Sequence, residues 1–271
     1  MDPARALLTG RTAIVTGGGA GIGRGIAGAV VAFGGRVAVL EIDPERAARA
    51  RSELPADRAV VVTGDARTPQ ALTQVLAAAR DAFGDVQILV NNVGGVFHRW
   101  FLDSPEKAWD AMLRVNLRSV LHGTQIVGRH MQEHGRGGSI VNVVTIEASR
   151  AAPGYAVYAA AKAAVVSFTR TMALELAPHR IRVNAIAPDI CMTEGLAAVV
   201  PPGDEARFAD IVPLGRAGEV DDVAGAAVFL ASEMASYVTG VLLPVDGGTA
   251  AAGGWYHDNG GWVLGPPRRR P

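Results

Sequence analysis

Seven short runs rich in β-branched residues, separated by alanine-rich segments, constrain this chain more than any other feature. They are "TAIVTG" from residue 12, "RVAVLE" from 36, "AVVVTGD" from 59, "VQILVNN" from 86, "GSIVNVV" from 138, "IRVNAIAP" from 181 and "VLLPVD" from 241. Near-continuous apolar runs of this length fit strands buried on both faces, as in a parallel sheet. The segments 21 to 34, 68 to 83, 105 to 134, 154 to 177 and 219 to 231 carry helical spacing. Right-handed βαβ crossovers then build a doubly wound α/β sheet whose ligands lie beyond the carboxyl ends of its strands. No long linker or repeat divides the chain before about residue 250. We expect one domain over residues 1–249 and a C-terminal extension over 250–271.

Charge narrows the partners. Lys and Arg number 26, Asp and Glu 26, so no net field favours nucleic acid or an anionic membrane. The closing "RRRP" reads as a solvated tail. A single cysteine, Cys191, excludes an intrachain disulfide and suits a reducing compartment. The start "MDPARALLTGR" lacks the apolar run of a secretion signal, and a cytoplasmic protein is expected.

The first run leads into "TGGGAGIGRGIA", where a glycine turn opening a helix presents amides to a pyrophosphate. Gly23, Gly25 and Gly28 spell G-x-G-x-x-G, but they fall inside the helix, too late to form that turn. Gly17, Gly21 and Gly23, spaced G-x-x-x-G-x-G, stand in the right place, with Thr16 able to hold the turn. Glu41 closes the second run, where an acid accepts hydrogen bonds from ribose hydroxyls and repels a 2′-phosphate. Ala20 precedes the second motif glycine, and only Arg24 and Arg46 stand near enough to compensate a phosphate. NAD is therefore expected in preference to NADP. Asp65 in "GDA" and Asn91 in "NNVGG" reach the same sheet edge.

Tyr158 and Lys162 stand four apart, one turn of helix. To exchange protons near neutrality a phenol must shift by about 3 pH units, roughly 4 kcal/mol. An ammonium about 4 Å away at an effective dielectric of about 20 supplies about that much, and the helix N-terminus adds a smaller contribution of the same sign. Tyr155 lacks such a partner, because Ala159 stands four residues on. Thr145 lies 13 residues before Tyr158 at the end of a strand, where its hydroxyl can hold a substrate oxygen.

In this order, "TGGGAGIG" (16–23), "NNVG" (91–94), Asn116 in "RVNLRS", "YAAAK" (158–162), "VNAIAPDICMT" (183–193) and "VDGG" (245–248) resemble the short-chain dehydrogenase/reductase family over residues 10 to about 249. The resemblance implies a Rossmann-like fold with a seven-stranded parallel sheet, a nicotinamide cofactor and a homotetramer or homodimer. By matching positions it implies that Tyr158 is the acid/base, that Lys162 lowers its pKa and binds the nicotinamide ribose, and that Asn116 holds a water in the proton relay. Thr145 stands for the family's usual serine. Cofactor contacts are implied for Gly17, Gly21, Ile22, Gly23, Glu41, Asp65, Ala66 and Asn91, and, beyond them, for Tyr158, Lys162, Pro188, Ile190 and Thr193. Where the family has Pro-Gly, the chain reads Pro188-Asp189, which brings a side chain and a charge toward the nicotinamide.

The expected reaction interconverts a secondary alcohol or diol and a ketone by hydride transfer, without a metal. A 3-oxoacyl-thioester reductase of the same family and a non-catalytic dinucleotide sensor are the alternatives; the first usually prefers NADP, at odds with Glu41. Phe97, His98, Trp100, Glu147, Tyr155, Met192 and Leu196 are the candidate pocket residues, an apolar set with one acid. "NNVGG" also resembles diol carboxylate dehydrogenases of aromatic breakdown. "HMQEH", residues 130 to 134, matches the H-x-x-E-H metalloprotease pattern, but it closes a helix far from the expected crevice. Cationic ends at a helix C-terminus are the expected role. Trp255, Tyr256, Trp262, Val263 and Leu264 flank Asn259-Gly260, a dipeptide that favours a hairpin; this segment is expected to dock on its own or a neighbouring subunit.

Overall fold

The computed structural model describes residues 2–197, 200, 208–258 and 261–264. Seven parallel strands form one sheet: β1 Thr12–Thr16, β2 Arg36–Glu41, β3 Ala59–Thr63, β4 Ile88–Asn91, β5 Gly138–Val143, β6 Ile181–Pro188 and β7 Leu242–Val245, in the order β3-β2-β1-β4-β5-β6-β7. The order reverses between β1 and β4, and such a switch point opens a crevice at the carboxyl ends of the strands.

All five expected helical segments are present: α1 Gly21–Ala32, α3 Pro69–Phe83, the pair α4 Glu106–Leu113 and α5 Ser119–His134, α6 Ala156–Leu176 and α9 Val220–Ala231. A π turn, Arg114–Arg118, joins α4 to α5. Apolar spacing does not reveal α2 Pro44–Glu53, a largely charged helix that buries only Ala47 and Ala50. Its N-terminus is nonetheless marked by Asp43, which accepts hydrogen bonds from the amides of Glu45 and Arg46, followed by Pro44. Short helical turns α7 Glu194–Ala197, α8 Phe208–Ile211 and α10 Thr249–Ala252 follow β6 and β7.

The apolar core lies on both faces of the sheet. On one side Ile26, Ala27 and Val30 of α1 and Val223, Ala227 and Val228 of α9 pack over Val15, Val39 and Val90. On the other, Leu72 and Val75 of α3 and Val127 and Met131 of α5 cover Ile14, Leu40 and Leu89. This double coverage explains why the strands read as unbroken apolar runs.

Beyond β7, β8 Trp255–Asp258 and β9 Gly261–Leu264 pair antiparallel, with Trp255 opposite Leu264 and Asp258 opposite Gly261. The expected Asn259-Gly260 turn and the arginine tail lie outside the described residues. Trp255, Trp262, Val263 and Leu264 are exposed within the single chain. No helix among the described residues is long and apolar enough to cross a membrane.

Candidate active site

A cleft of about 970 Å³ opens along the carboxyl edge of the sheet, lined at one end by Gly17, Gly21, Ile22, Gly23, Glu41 and Arg46 and at the other by Thr145, Glu147, Tyr155, Tyr158 and Lys162. Gly17 and Gly21 hold φ of 65° and 50°, a left-handed backbone open to glycine. Gly23 is required for contact: a Cβ there would stand 2.2 Å from the Gly17 carbonyl oxygen. Gly25 and Gly28 lie inside α1, as expected of the misplaced pattern. Thr16 does more than hold its own turn, because its hydroxyl accepts hydrogen bonds from the amides of Asn92 (3.0 Å) and Val93 (3.2 Å). It thereby ties the loop after β4 to the glycine turn.

These residues fit a dinucleotide. Ala20, the N-cap of α1, makes no side-chain cap, which leaves the first helical amides available to an anion. Glu41 is 4% exposed; one carboxylate oxygen accepts from the Gly19 amide (3.0 Å) and the other from the Asp43 amide (3.1 Å). Arg24 is engaged by Glu53 and Glu194, whereas Arg46 lines the cleft. Across from the glycine turn, Thr193 approaches so closely that a Cβ on Gly21 would lie 3.3 Å from its methyl carbon.

At the other end, β5 delivers Thr145 and α6 delivers Tyr158 and Lys162. Lys162 is 3% exposed and its Nζ donates to the Val143 carbonyl at 2.9 Å, 6.0 Å from the centre of the Tyr158 ring. The expected lowering of the phenol is therefore not found in this geometry. Burial, followed by the charge of Glu147, pushes Tyr158 up to about 12, with the Thr145 hydroxyl pulling the other way. Burial also brings Lys162 down to about 8. The ammonium is aimed at a backbone carbonyl and is itself short of solvation, so it cannot by itself supply the shift read from spacing alone.

Asn116, fully buried in the π turn, accepts from the Gly95 amide (3.2 Å) and donates to the carbonyls of Gly95 (2.8 Å) and Met112 (3.1 Å). A Cβ on Gly94 would stand 3.1 Å from Asn116 Oδ1 and 3.3 Å from Lys162 Nζ, so the two side chains close on that glycine from either side.

Several expected contacts fall elsewhere. Among the described residues the cleft lining excludes Asp65, Ala66, Asn91, Pro188, Phe97, His98 and Met192. Asn91 turns its amide to Thr124 and Asn142 in the interior, and the neighbouring Asn92 lines the cleft instead. Asp65 binds Arg67, and Ala66 packs into the core. Ile190 does line the cleft, while its carbonyl accepts from the Gly218 amide at 2.9 Å. Phe97 lines a small recess with Tyr155 and Tyr158, and His98 packs edge-on against Tyr155 and Trp100. Leu196 does line the cleft. Nor is the pocket apolar with a single acid, because Arg150 and Asp189 join Glu147 on its wall.

Residues 17–250 match the family described as enoyl-(acyl carrier protein) reductase. L-xylulose reductase from Bos taurus is 39% identical over 90% of this chain and 98% of its own length. The chain belongs to the short-chain dehydrogenase/reductase family. It is accordingly an oxidoreductase acting on CH–OH groups with NAD(P). Within this family, an L-rhamnose 1-dehydrogenase (NAD(P)(+)) from a Sphingomonas strain is 36% identical over 89% of the chain and 97% of its own length. The solved structure of 7α-hydroxysteroid dehydrogenase complexed with NADH and 7-oxo glycochenodeoxycholic acid superposes with a TM-score of 0.86 at 34% identity, covering 92% of this chain and 97% of that one.

The second motif of the sequence, His130 to His134, is unrelated to the family's chemistry. His130 Nε2 accepts from the Val86 amide at 3.0 Å, and His134 Nε2 meets the Val86 carbonyl at 3.1 Å. The pair pins the approach to β4. Burial, the charge of His134 and Arg80 hold His130 below the ordinary imidazole range, so it is a neutral acceptor and not the cationic helix end read from the sequence.

Proposed function

We propose that this enzyme interconverts a secondary alcohol or diol and a ketone, with NAD as its preferred cofactor. Thr145 and Tyr158 hold the reacting oxygen, and Tyr158 takes the alcohol proton in oxidation and returns it in reduction. A bound nicotinamide supplies the hydride acceptor or donor. Lys162 offers a cation beside the phenol and a donor toward the cofactor ribose, and Asn116 shapes the Gly94-Gly95 backbone against which both are set. The positive charge of an oxidised cofactor adds to that of Lys162, in the direction needed to lower a phenol that burial has raised.

The observation that carries this reading is the placement of Thr145, Tyr158 and Lys162 on one wall of a cleft whose far end is the glycine turn and Glu41. The preference for NAD rests on Glu41, whose carboxylate would repel a 2′-phosphate. Relatives named for L-xylulose, L-rhamnose and D-erythrulose support a small hydroxylated substrate. We further propose that residues 1–249 form the catalytic domain, that 250–271 is an extension docking on its own or a neighbouring subunit, and that the protein is a cytoplasmic homotetramer or homodimer.

Following reduced-nicotinamide absorbance over a panel of alcohols, with NAD and with NADP, tests the reading against a dinucleotide sensor. Turnover that persists unchanged in Tyr158→Phe, or cofactor binding without any turnover, would overturn it. A thioester reductase would instead consume 3-oxoacyl thioesters and leave simple polyols untouched.

A further inference from the structure

Resting on that reading, we infer that Glu147 determines specificity: its carboxylate, bonded to Thr145 and tied through Arg150 to Asp189, takes a hydrogen bond from a hydroxyl on the carbon next to the reacting one. The substrates are then neutral vicinal diols and the matching α-hydroxy ketones.

Acceptors outnumber donors on this wall. One Glu147 oxygen accepts the Thr145 hydroxyl. The other accepts from Arg150 Nη2 at 3.1 Å, and the same nitrogen lies 3.3 Å from Asp189 Oδ1. Asp189 Oδ2 is buried without a hydrogen bond, on a side chain only 8% exposed. Four carboxylate oxygens thus share the Thr145 hydroxyl, one guanidinium nitrogen and the Thr249 hydroxyl, which itself donates to the Asp246 carbonyl at 2.8 Å. Burial holds the Asp189 carboxyl above its usual range; Arg150 and the Thr249 hydroxyl oppose it, and the charges of Glu147 and Asp246 add to it.

What such a wall accepts follows from charge and hydrogen bonding. A ketone, ester or thioester oxygen beside the reacting carbon would add another acceptor. A carboxylate would add a second negative charge to a group whose two acids already outnumber its one arginine. A hydroxyl brings the missing donor. The spacing agrees as well. Vicinal oxygens lie within hydrogen-bonding distance of each other, as do the Thr145 hydroxyl and the Glu147 carboxylate. With one oxygen of a diol on Thr145, its neighbour therefore falls to Glu147. A site built to bond a hydroxyl discriminates strongly against the analogue that lacks it.

The test compares 2,3-butanediol with 2-butanol, and acetoin with 2-butanone in the reverse direction, in the full-length enzyme. The readout is the ratio of kcat/KM within each pair, from which any loss acting through Thr145 on both partners cancels. Wild type is expected to favour the hydroxylated partner by about 30-fold or more. Glu147→Ala should bring the ratio to within about threefold of unity, chiefly through a higher KM for the diol, and the isosteric Glu147→Gln should lie between. A ratio left unchanged by Glu147→Ala, or a wild type indifferent to the second hydroxyl, overturns the assignment. Should wild type bind cofactor yet turn over none of the four compounds, the alcohol–ketone reading itself fails and this assignment with it.

Discussion

Lys162 directs its ammonium at the Val143 carbonyl, 2.9 Å away, and stands 6.0 Å from the centre of the Tyr158 ring that it is placed to activate. Burial acts on the two groups in opposite senses, raising the phenol to about 12 and lowering the ammonium to about 8. Catalysis at neutral pH therefore requires that cofactor and substrate reshape the local field, because an isolated pair would leave the phenol protonated.

Removing the Tyr158 hydroxyl in Tyr158→Phe should lower kcat by about 10²- to 10⁴-fold. Cofactor affinity and melting temperature should change little. Steady-state kinetics and cofactor titration measure both, and a wild-type kcat in the variant would contradict the assigned role.

Lys162 should cost the ligand-free fold stability. Its folded pKa is depressed from 10.5 to about 8, so the unfolded chain binds the extra proton between those values. Stability associated with this residue is then full above about 10.5 and is lost as pH falls through about 8. Lys162→Met should abolish activity yet stabilise the apo protein at pH 7 by about 1–2 kcal/mol, the relieved charge penalty less the lost bond to Val143. Urea unfolding at pH 7 and at pH 10 checks the sign, since the gain must shrink at the higher pH.

Gly94→Ala places a methyl group 3.1 Å from Asn116 Oδ1 and 3.3 Å from Lys162 Nζ. The side chains must move by a few tenths of an ångström, and misplacement of catalytic groups on that scale reduces rate more than stability. We expect kcat to fall about tenfold or more while the melting temperature moves by only a few degrees. Unchanged turnover would show that the position of Lys162 is not critical.

Glu41→Gln removes the charge and keeps one acceptor oxygen, so that one of the Gly19 and Asp43 amides stays bonded and the other faces the carboxamide NH2. The ratio of kcat/KM for NADP to that for NAD should rise about tenfold, helped by Arg46 on the same wall. Kinetics with both cofactors decide it, and an unmoved ratio would remove Glu41 as the selector.

The sequence makes the sheet and the reaction class legible because both are local: apolar runs, a glycine turn at a strand end, and two residues one helical turn apart. The π turn around Asn116 is not legible there, since its placement depends on α4 and α5 packing beside the Gly94-Gly95 loop. Nor can spacing show where the Lys162 ammonium points, because its partner is a backbone carbonyl on β5, 19 residues away. Nor does spacing show that the Asn91 side chain turns to Thr124 and Asn142 while Asn92 lines the cleft: side chains alternate along a strand, and one residue separates cleft from core. The Arg150–Asp189 contact spans 39 residues, and only the departure from glycine at Asp189 hints at it.

His130 offers a test of stability independent of the active site. Its Nε2 accepts the Val86 amide at 3.0 Å, and its pKa is lowered by burial and by the charges of His134 and Arg80. The unfolded chain takes up the proton first as pH falls below about 6.5, so stability contributed here is present above that value and is lost as pH falls through the lower folded pKa. His130→Phe fills the space but leaves the Val86 amide buried and unpaired, which should cost about 1–3 kcal/mol at pH 8. The difference between variant and wild type should narrow toward pH 5, because the unfolded wild-type chain takes up a proton there that the folded imidazole resists. Urea titrations at the two pH values measure it, and an equal difference at both would mean that the imidazole packs there without accepting the amide proton.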